Sequence, residues 1–281
     1  MQIDKIIFSC SAEFSPFWNI QSKLWSRIGI EPICLCFGQP KIKLSERYGK
    51  VRYCQQKSEY GIDSTIIQIT LSKFLYPCKD PTATWLIGDI DMLPLQSYYF
   101  INKNAETVKD DEYWHLNPCG IYQTYKQSFK NFYTTGPRIL GGYDLPGHYH
   151  LAKGSTFEKL FFGTKSYPEV LDQIIKTSSF GVNNERKGFQ KKYWCAEEAY
   201  TSLAIYYAYH LKKISLRLQT YNNRINRIDR IFWSETNKRY EHPYEHLLKP
   251  AQTHFVDLHC HRPFHEQEDA MMKILDKAGL V

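Results

Sequence analysis

WLIGDIDMLPL, Trp85 to Leu95, is an apolar run broken by two aspartates one residue apart, Asp89 and Asp91, and followed by Pro94. It reads as the end of a buried strand, expected over Thr84 to Ile90. The segments before it set its context. Lys5 to Cys10, KIIFSC, and Glu31 to Phe37, EPICLCF, are short apolar runs, and Arg47 to Tyr53 is a weaker one. Phe17 to Ile28 places Trp18, Ile20, Leu24, Trp25 and Ile28 at helical spacing, with Gly29 as its C-cap. Ser64 to Leu75 is a second helix, carrying Ile66, Ile67, Ile69, Leu71, Phe74 and Leu75. Strands that are apolar throughout, joined by helices, belong to a mainly parallel sheet covered on both faces. The fold class is α/β. In such sheets ligands sit outside the carboxyl ends of the strands, which is where Asp89 and Asp91 fall.

Beyond Pro94 the pattern loosens. Tyr113 to Leu116 and Thr253 to Leu258 read as strands. Thr156 to Phe161, Tyr167 to Thr177, Cys195 to Leu211 and Glu266 to Ala278 read as helices. Phe129 to His150 and Phe180 to Lys192 read as loops. No repeat or linker interrupts the chain. The expectation is one domain over 1–281, with a nucleotide-binding first part, 1–98, and a substrate part, 99–281.

The 281 residues, 43% of them apolar and 23% charged, suffice for one large α/β domain with a sizeable core. The 15% of aromatics, with 21 tyrosines, suit stacking on sugars or bases as well as ordinary packing. Net charge is +7 and spread along the chain. Its densest stretch, Arg217 to Arg230, spaces Arg224, Arg227 and Arg230 three apart. As a helix these form one basic stripe, either a surface for phosphates, anionic lipid or acidic glycan, or a solvated face. No nucleic-acid motif accompanies it, so no nucleic-acid partner is expected. Eight cysteines without paired spacing read as reduced thiols. MQIDKIIFSC lacks the apolar core of a signal peptide, and no run approaches the roughly 20 apolar residues of a membrane span. The sequence thus reads as cytoplasmic, in a bacterial cytosol or, for a virus, a host cytosol, with no transmembrane segment. Peripheral membrane contact stays open.

Residues i and i+2 of an extended chain face the same way. Two carboxylates so placed repel unless a cation lies between them, and oxygen ligands suit Mg²⁺ or Mn²⁺ bound to substrate phosphates. The alternative is a turn in which one aspartate caps a backbone N–H. VDLHCHRPF, Val256 to Phe264, is the second informative stretch. If extended, it sets Asp257, His259 and His261 on one face, with histidine a good ligand for Mn²⁺ or Zn²⁺. Arg262 follows, and a guanidinium suits phosphate oxygens. The alternative is a set of polar residues at a strand end. In WCAEEAYTSL, Trp194 to Leu203, Glu197 and Glu198 fall in the first turn of a helix, where acids also offset the macrodipole.

WLIGDIDMLPL resembles the metal-binding DxD segment of GT-A fold glycosyltransferases. The first strand KIIFSC, the helix leading to the DxD strand and a late histidine keep that family's order. The resemblance implies a Rossmann-like, mixed but mainly parallel sheet flanked by helices. It implies that Asp91 coordinates Mn²⁺ or Mg²⁺ and that Asp89 contacts ribose or metal. It implies that Ser9, Cys10 and Ser11 line the nucleotide pocket and that Lys73 reaches the diphosphate, unless Lys73 is a solvated helix lysine. His259 or His261 would complete the metal site and Arg262 grip the diphosphate, although the spacing departs from the His…Gly…Lys-Pro-Trp pattern of one such family. DIDM is close to the DVDM-like segment of the retaining blood-group type galactosyl and N-acetylgalactosaminyl transferases. By that match Glu197 takes the position of the carboxylate beneath the anomeric carbon, with Glu198 its nearest competitor. Ala196 departs from that pattern. His148, Tyr149 and His150 would meet acceptor hydroxyls, or else be held by packing.

The implied activity is transfer of a sugar from a UDP-linked or other nucleotide-diphosphate sugar to a hydroxyl of a glycan or glycoprotein. In an inverting enzyme the carboxylate acts as general base, and in a retaining one it supports an oxocarbenium-like state or a glycosyl intermediate. Two other readings rank behind. A nucleotidyltransferase usually carries a Gly-rich, Lys/Arg-bearing loop that SCSAEFSP lacks. VDLHCH also resembles the opening metal motif of amidohydrolase-like and PHP-type phosphoesterases, but there it stands on the first strand, and here it lies near residue 260.

Overall fold

The short apolar runs become strands and the 3.6-period segments become helices. In the computed structural model residues 2–40, 42–56, 65–101, 107–116, 145, 147–163, 165–179, 196–218, 227–241 and 255–281 are described. In chain order the strands are β1 (Lys5–Ser11), β2 (Glu31–Phe37), β3 (Lys50–Cys54), β4 (Thr84–Ile87), β5 (Met92–Pro94), β6 (Glu112–His115), β7 (His150–Lys153), β8 (Ser215–Leu218), β9 (Arg227–Ile228), β10 (Trp233–Ser234), β11 (Arg239–Tyr240) and β12 (Asp257–His259). The helices are α1 (Trp18–Ile28), α2 (Thr65–Leu75), the single turn α3 (Ser97–Phe100), α4 (Gly154–Phe161), α5 (Tyr167–Ser179), α6 (Ala196–His210) and α7 (Phe264–Lys277). They fall into two compact units. One joins Met1–Tyr53, Gly88–Thr107 and Tyr221–Val281. The other joins Cys54–Ile87 and Val108–Thr220.

In the first unit β1 and β2 run parallel, from Lys5 opposite Glu31 to Ser11 opposite Phe37, and β3 lies on the far side of β2. Ile6, Ile7 and Phe8 of β1 and Cys34 and Cys36 of β2 are fully buried, as strands covered on both faces require. α1 buries Trp18, Leu24 and Trp25, and Gly29 ends it at φ 87°, the left-handed conformation glycine adopts without penalty. A second small sheet has the order β5-β12-β9. Pro94 sits in its edge strand, where a missing N–H costs no ladder bond. α7 buries Gln267, Met271, Ile274 and Leu275, one stripe at helical spacing.

The second unit has the strand order β4-β7-β6-β8. β7 is antiparallel to both β4 and β6, and β8 is parallel to β6. Phe74 of α2 packs edge-to-face on His150 and Phe161, and Tyr113 does so on Phe157. Gly154 opens α4 against the chain at 77–80. A Cβ there would stand 2.2 Å from the Asp80 carbonyl oxygen, so only glycine fits.

Three expectations need correction. The strand expected over Thr84 to Ile90 ends at Ile87, and β5 begins at Met92 after a turn. β7 has no counterpart among the expected strands, because its four residues follow a Gly/Pro/Tyr-rich stretch. The basic stretch is not one helix: β8 and β9 occupy part of it, and Arg227 is buried. Arg224, the loop expected over 180–192 and most of that over 129–150 lie outside the described residues. No helix among the described residues is long and apolar enough to cross a membrane.

Candidate active site

Asp89 and Asp91 flank a tight turn of the first unit. Gly88 donates to Ile7 O at 2.9 Å, which carries the chain across the ring of Phe8. A Cβ at Gly88 would meet Phe8 Cε1 at 2.4 Å. Met92 N then donates to Asp89 O at 3.0 Å, closing the turn. The same-side rule for i and i+2 therefore does not apply. Asp89 stays half-buried while Asp91 is 2% exposed. Sequence reasoning missed what pins this turn. Gln21 of α1, fully buried, donates its amide to Asp89 O at 3.3 Å, Ile90 O at 3.0 Å and Met92 O at 2.7 Å. Its own oxygen accepts from Trp25 Nε1 at 2.9 Å. The available signal is a polar residue on the apolar face, three after Trp18 and four before Trp25. Replacing Gln21 with leucine, of similar volume, should cost about 2–3 kcal/mol by leaving buried carbonyls unmatched. A urea titration reads this as a lower midpoint at unchanged slope, and a loss under about 1 kcal/mol would mean the turn holds itself.

Asp91 Oδ2 faces two guanidiniums and an imidazole. Arg262 Nε lies 2.7 Å away and its Nη2 2.5 Å, Arg230 Nη1 lies at 3.5 Å and His259 Nε2 at 3.7 Å. Burial pushes the Asp91 carboxyl up, but Arg262, His259 and Arg230 outweigh it and hold the carboxyl below its usual value, against opposition from Asp89. Arg262 is costly to desolvate, yet the Asp91 carboxylate raises its pKa. Its guanidinium also lies over the Phe14 ring, 4.6 Å from the centroid, a cation–π contact. Behind His259 stands Asp229, whose Oδ2 is 3.3 Å from Nδ1. Burial of Asp229 is outweighed by the His259 hydrogen bond and charge, which hold its carboxyl down at about 2.

β12 ends at His259, and the three side chains expected on one face go to three places. Asp257 pairs with Arg227, Nε to Oδ1 at 2.6 Å and Nη2 to Oδ2 at 2.9 Å, both residues buried. His259 faces Asp91. His261 stacks on Trp233, ring centroids 4.9 Å apart, with Nε2 3.1 Å from Glu235 Oε1. Donor atoms of Glu235, His261 and Glu266 lie within 4.8 Å of one another, but the Lys238 ammonium already reaches both glutamates, at 2.9 and 3.6 Å. The two histidines of HCH therefore serve different groups.

Ser9, Cys10 and Ser11 belong to β1 rather than to a loop. Ser9 and Ser11 are half-buried, and the buried Cys10 thiol lies 3.6 Å from that of Cys34. In the second unit Lys73 is 3% exposed and Glu197 7%, so Lys73 is not a solvated helix lysine. Both surround Gly147. A Cβ there would lie 3.4 Å from Lys73 Nζ, 3.6 Å from Glu197 Oε1 and 3.6 Å from Glu198 Cγ. Glu198 Oε1 accepts from Gly147 N at 3.0 Å, and Ser202 Oγ accepts from Leu145 N at 3.1 Å, clasping this segment to α6. Tyr149 takes φ 60°, held by its N–H to Ile87 O at 2.6 Å. Tyr149 and His150 are fully buried and His148 is 7% exposed. The Tyr113 hydroxyl meets His150 Nδ1 at 2.8 Å, and the His115 ring packs on His150.

Two donor atoms in the first unit are spaced so that one divalent cation could bond both. Asp91 Oδ2 and His259 Nε2 are 3.7 Å apart. An ion bonding at about 2.1 Å spans donors up to about 4.2 Å apart. Asp229 behind the imidazole is the carboxylate–histidine arrangement found at metal sites. Arg262 holds the oxygen such a cation would take, so the two compete.

No family model matches the sequence, nor does any curated protein. Solved structures match in fold. Galactosyltransferase LgtC, crystallised with donor and acceptor sugar analogs, aligns over 98% of this chain and 95% of its own, at 14% identity and a TM-score of 0.50. An active-site mutant of LgtC gives the same values. Glycosyltransferase GlyE of Streptococcus pneumoniae aligns over 91% of this chain and 54% of its own, at 12% identity and a TM-score of 0.42. The LgtC match shows the fold: the chain is an α/β protein of GT-A type.

Proposed function

We propose that the chain is a metal-dependent glycosyltransferase that moves a sugar from a nucleotide-diphosphate donor, UDP-linked in the simplest case, to a hydroxyl of a glycan or glycoprotein. The observation that carries this reading is the buried Asp91 carboxylate at the turn after β4, facing His259 Nε2 and two guanidiniums. Anionic and cationic groups concentrated at one carboxylate suit a ligand that is itself a diphosphate with its cation. Asp89, Asp91 and His259 would hold Mn²⁺ or Mg²⁺, which when bound offsets charge on the departing diphosphate. Arg262 and Arg230 would take diphosphate oxygens once they leave Asp91, and Lys73 is assigned the same task. Ser9 and Ser11 are assigned to the nucleotide. Glu197 is assigned to the reacting carbon or hydroxyl. Glu198, whose Oε1 accepts from Gly147 N, is assigned to holding the loop beside it.

The test is calorimetric and kinetic. UDP with Mn²⁺ should raise the melting temperature by several degrees more than either alone, with slow hydrolysis of a UDP-sugar in the absence of acceptor. Chelation by EDTA should remove both effects. Equal shifts with and without Mn²⁺, across uridine and other nucleoside diphosphates, would sink the metal-dependent reading.

A further inference from the structure

β9 and β12 run parallel, with Arg227 opposite Asp257 and Ile228 opposite Leu258. The two tripeptides are Arg227-Ile228-Asp229 and Asp257-Leu258-His259. Each has a charged or polar residue at both ends and an apolar one between, and their charges are complementary end to end. The first rung is the buried Arg227–Asp257 fork. Carrying the register one position further sets Asp229 opposite His259, and there the Asp229 Oδ2 to His259 Nδ1 distance is 3.3 Å. The other oxygen of Asp229 has a separate task. Oδ1 accepts from Ile231 N at 3.1 Å and caps the 3₁₀ turn Arg230–Phe232. That turn carries Arg230, whose Nη1 reaches 3.5 Å from Asp91 Oδ2.

We propose that Asp229 is a positioning residue for the cation site. One of its oxygens holds the Nδ1 proton of His259, so that Nε2 turns its lone pair toward Asp91, and the other fixes the turn that aims Arg230 at the same carboxylate. The inference rests on reading Asp91 and His259 as cation ligands. Its physical basis is general. An imidazole has one proton for two nitrogens when neutral, and the acceptor on one side decides which nitrogen is left to bind a metal. Because both oxygens belong to one carboxylate, metal ligand and phosphate-facing arginine are set by a single side chain.

The full-length chain, labelled with ¹⁵N-histidine and freed of metal, should be examined by long-range ¹H–¹⁵N correlation at pH 9, with His259→Gln assigning the signal. The expected spectrum has the His259 proton on Nδ1. In Asp229→Ala the proton should move to Nε2. By the usual effect of removing such a partner, Mn²⁺ affinity, read by loss of the free-ion EPR signal, should fall about 10- to 100-fold. A wild-type imidazole protonated on Nε2 overturns the proposal, whether or not the variant folds. So does a folded Asp229→Ala that binds Mn²⁺ within twofold of wild type. A wild-type protein with the Nδ1 proton but without Mn²⁺ affinity is a different result: it defeats the cation-site reading itself, and the role of Asp229 toward a cation falls with it.

Discussion

Asp91→Asn should abolish the Mn²⁺-dependent part of nucleotide binding and lower donor turnover by about 100- to 1,000-fold, while metal-free UDP binding stays as strong as in wild type or strengthens. The split follows from what touches Asp91. Its buried Oδ2 receives Arg262 at 2.7 and 2.5 Å, Arg230 at 3.5 Å and His259 at 3.7 Å. Asparagine keeps the shape of the side chain, and the Gln21 clamp on the turn is made to backbone oxygens that the substitution leaves in place. What is lost is the charge. Two guanidiniums then lack their carboxylate and become better partners for a diphosphate.

On the proposed reading, competition for one oxygen would also set the order of events in wild type. Mn²⁺ alone would have to displace Arg262 from Asp91, leaving its guanidinium beside Phe14. UDP would supply phosphate oxygens for the displaced guanidinium. Mn²⁺ and UDP should therefore each tighten the other, as reciprocal linkage requires. Titrations of UDP with and without Mn²⁺, in wild type and Asp91→Asn, read both signs. A variant that retains the Mn²⁺-dependent increment would show that Asp91 is not a ligand. A variant that loses UDP binding altogether, metal or none, would show that the site has collapsed rather than lost a cation.

The first hundred residues were legible because each signal there is local. Ile6 to Phe8 and Pro32 to Phe37 are buried in strands of a parallel pair, and an apolar run is what that burial leaves in a sequence. Gly29 was readable as a cap because only a left-handed residue ends the helix there. The site was legible to the extent that its chemistry is also local: Asp89 and Asp91 stand in one short turn, and His259 and Arg262 in one short stretch. What sets His259 toward Asp91 and His261 toward Glu235 is not local. It is the residue across the strand pair, thirty positions away, and the end of β12 at His259. Arg227 and Arg230 were misread for the same reason. Their three-residue spacing imitates a helix, but Arg227 is neutralised by Asp257 and Arg230 lies by Asp91, contacts that no window of the sequence contains. Lys73 carries no local sign that it is buried. The interleaving of the two units, with four passages between them, leaves no mark in composition.

Asp257→Ala should destabilise the first unit strongly, by about 3–5 kcal/mol, because it removes the carboxylate that forks a buried guanidinium. Arg227 and Asp257 are 5% and 0% exposed at their side chains, so water cannot replace the lost carboxylate. The double variant Arg227→Met with Asp257→Leu removes both charges and should recover stability to within about 1 kcal/mol of wild type, since the desolvation of the pair largely cancels its attraction. Stability and site should then part company. β9 is two residues long, and between them Ile228 and Leu258 fix depth but not register. The ion pair is what specifies that Asp229 lies opposite His259, and a slip of one residue would turn Asp229 to the other face. The double variant should therefore melt close to wild type and yet bind Mn²⁺ about tenfold more weakly, the loss expected when a histidine ligand loses its supporting carboxylate. Urea titration and Mn²⁺ EPR on the same samples separate the two quantities. Wild-type Mn²⁺ affinity in a stable double variant would mean that packing alone sets the register and that the pair contributes nothing to the site.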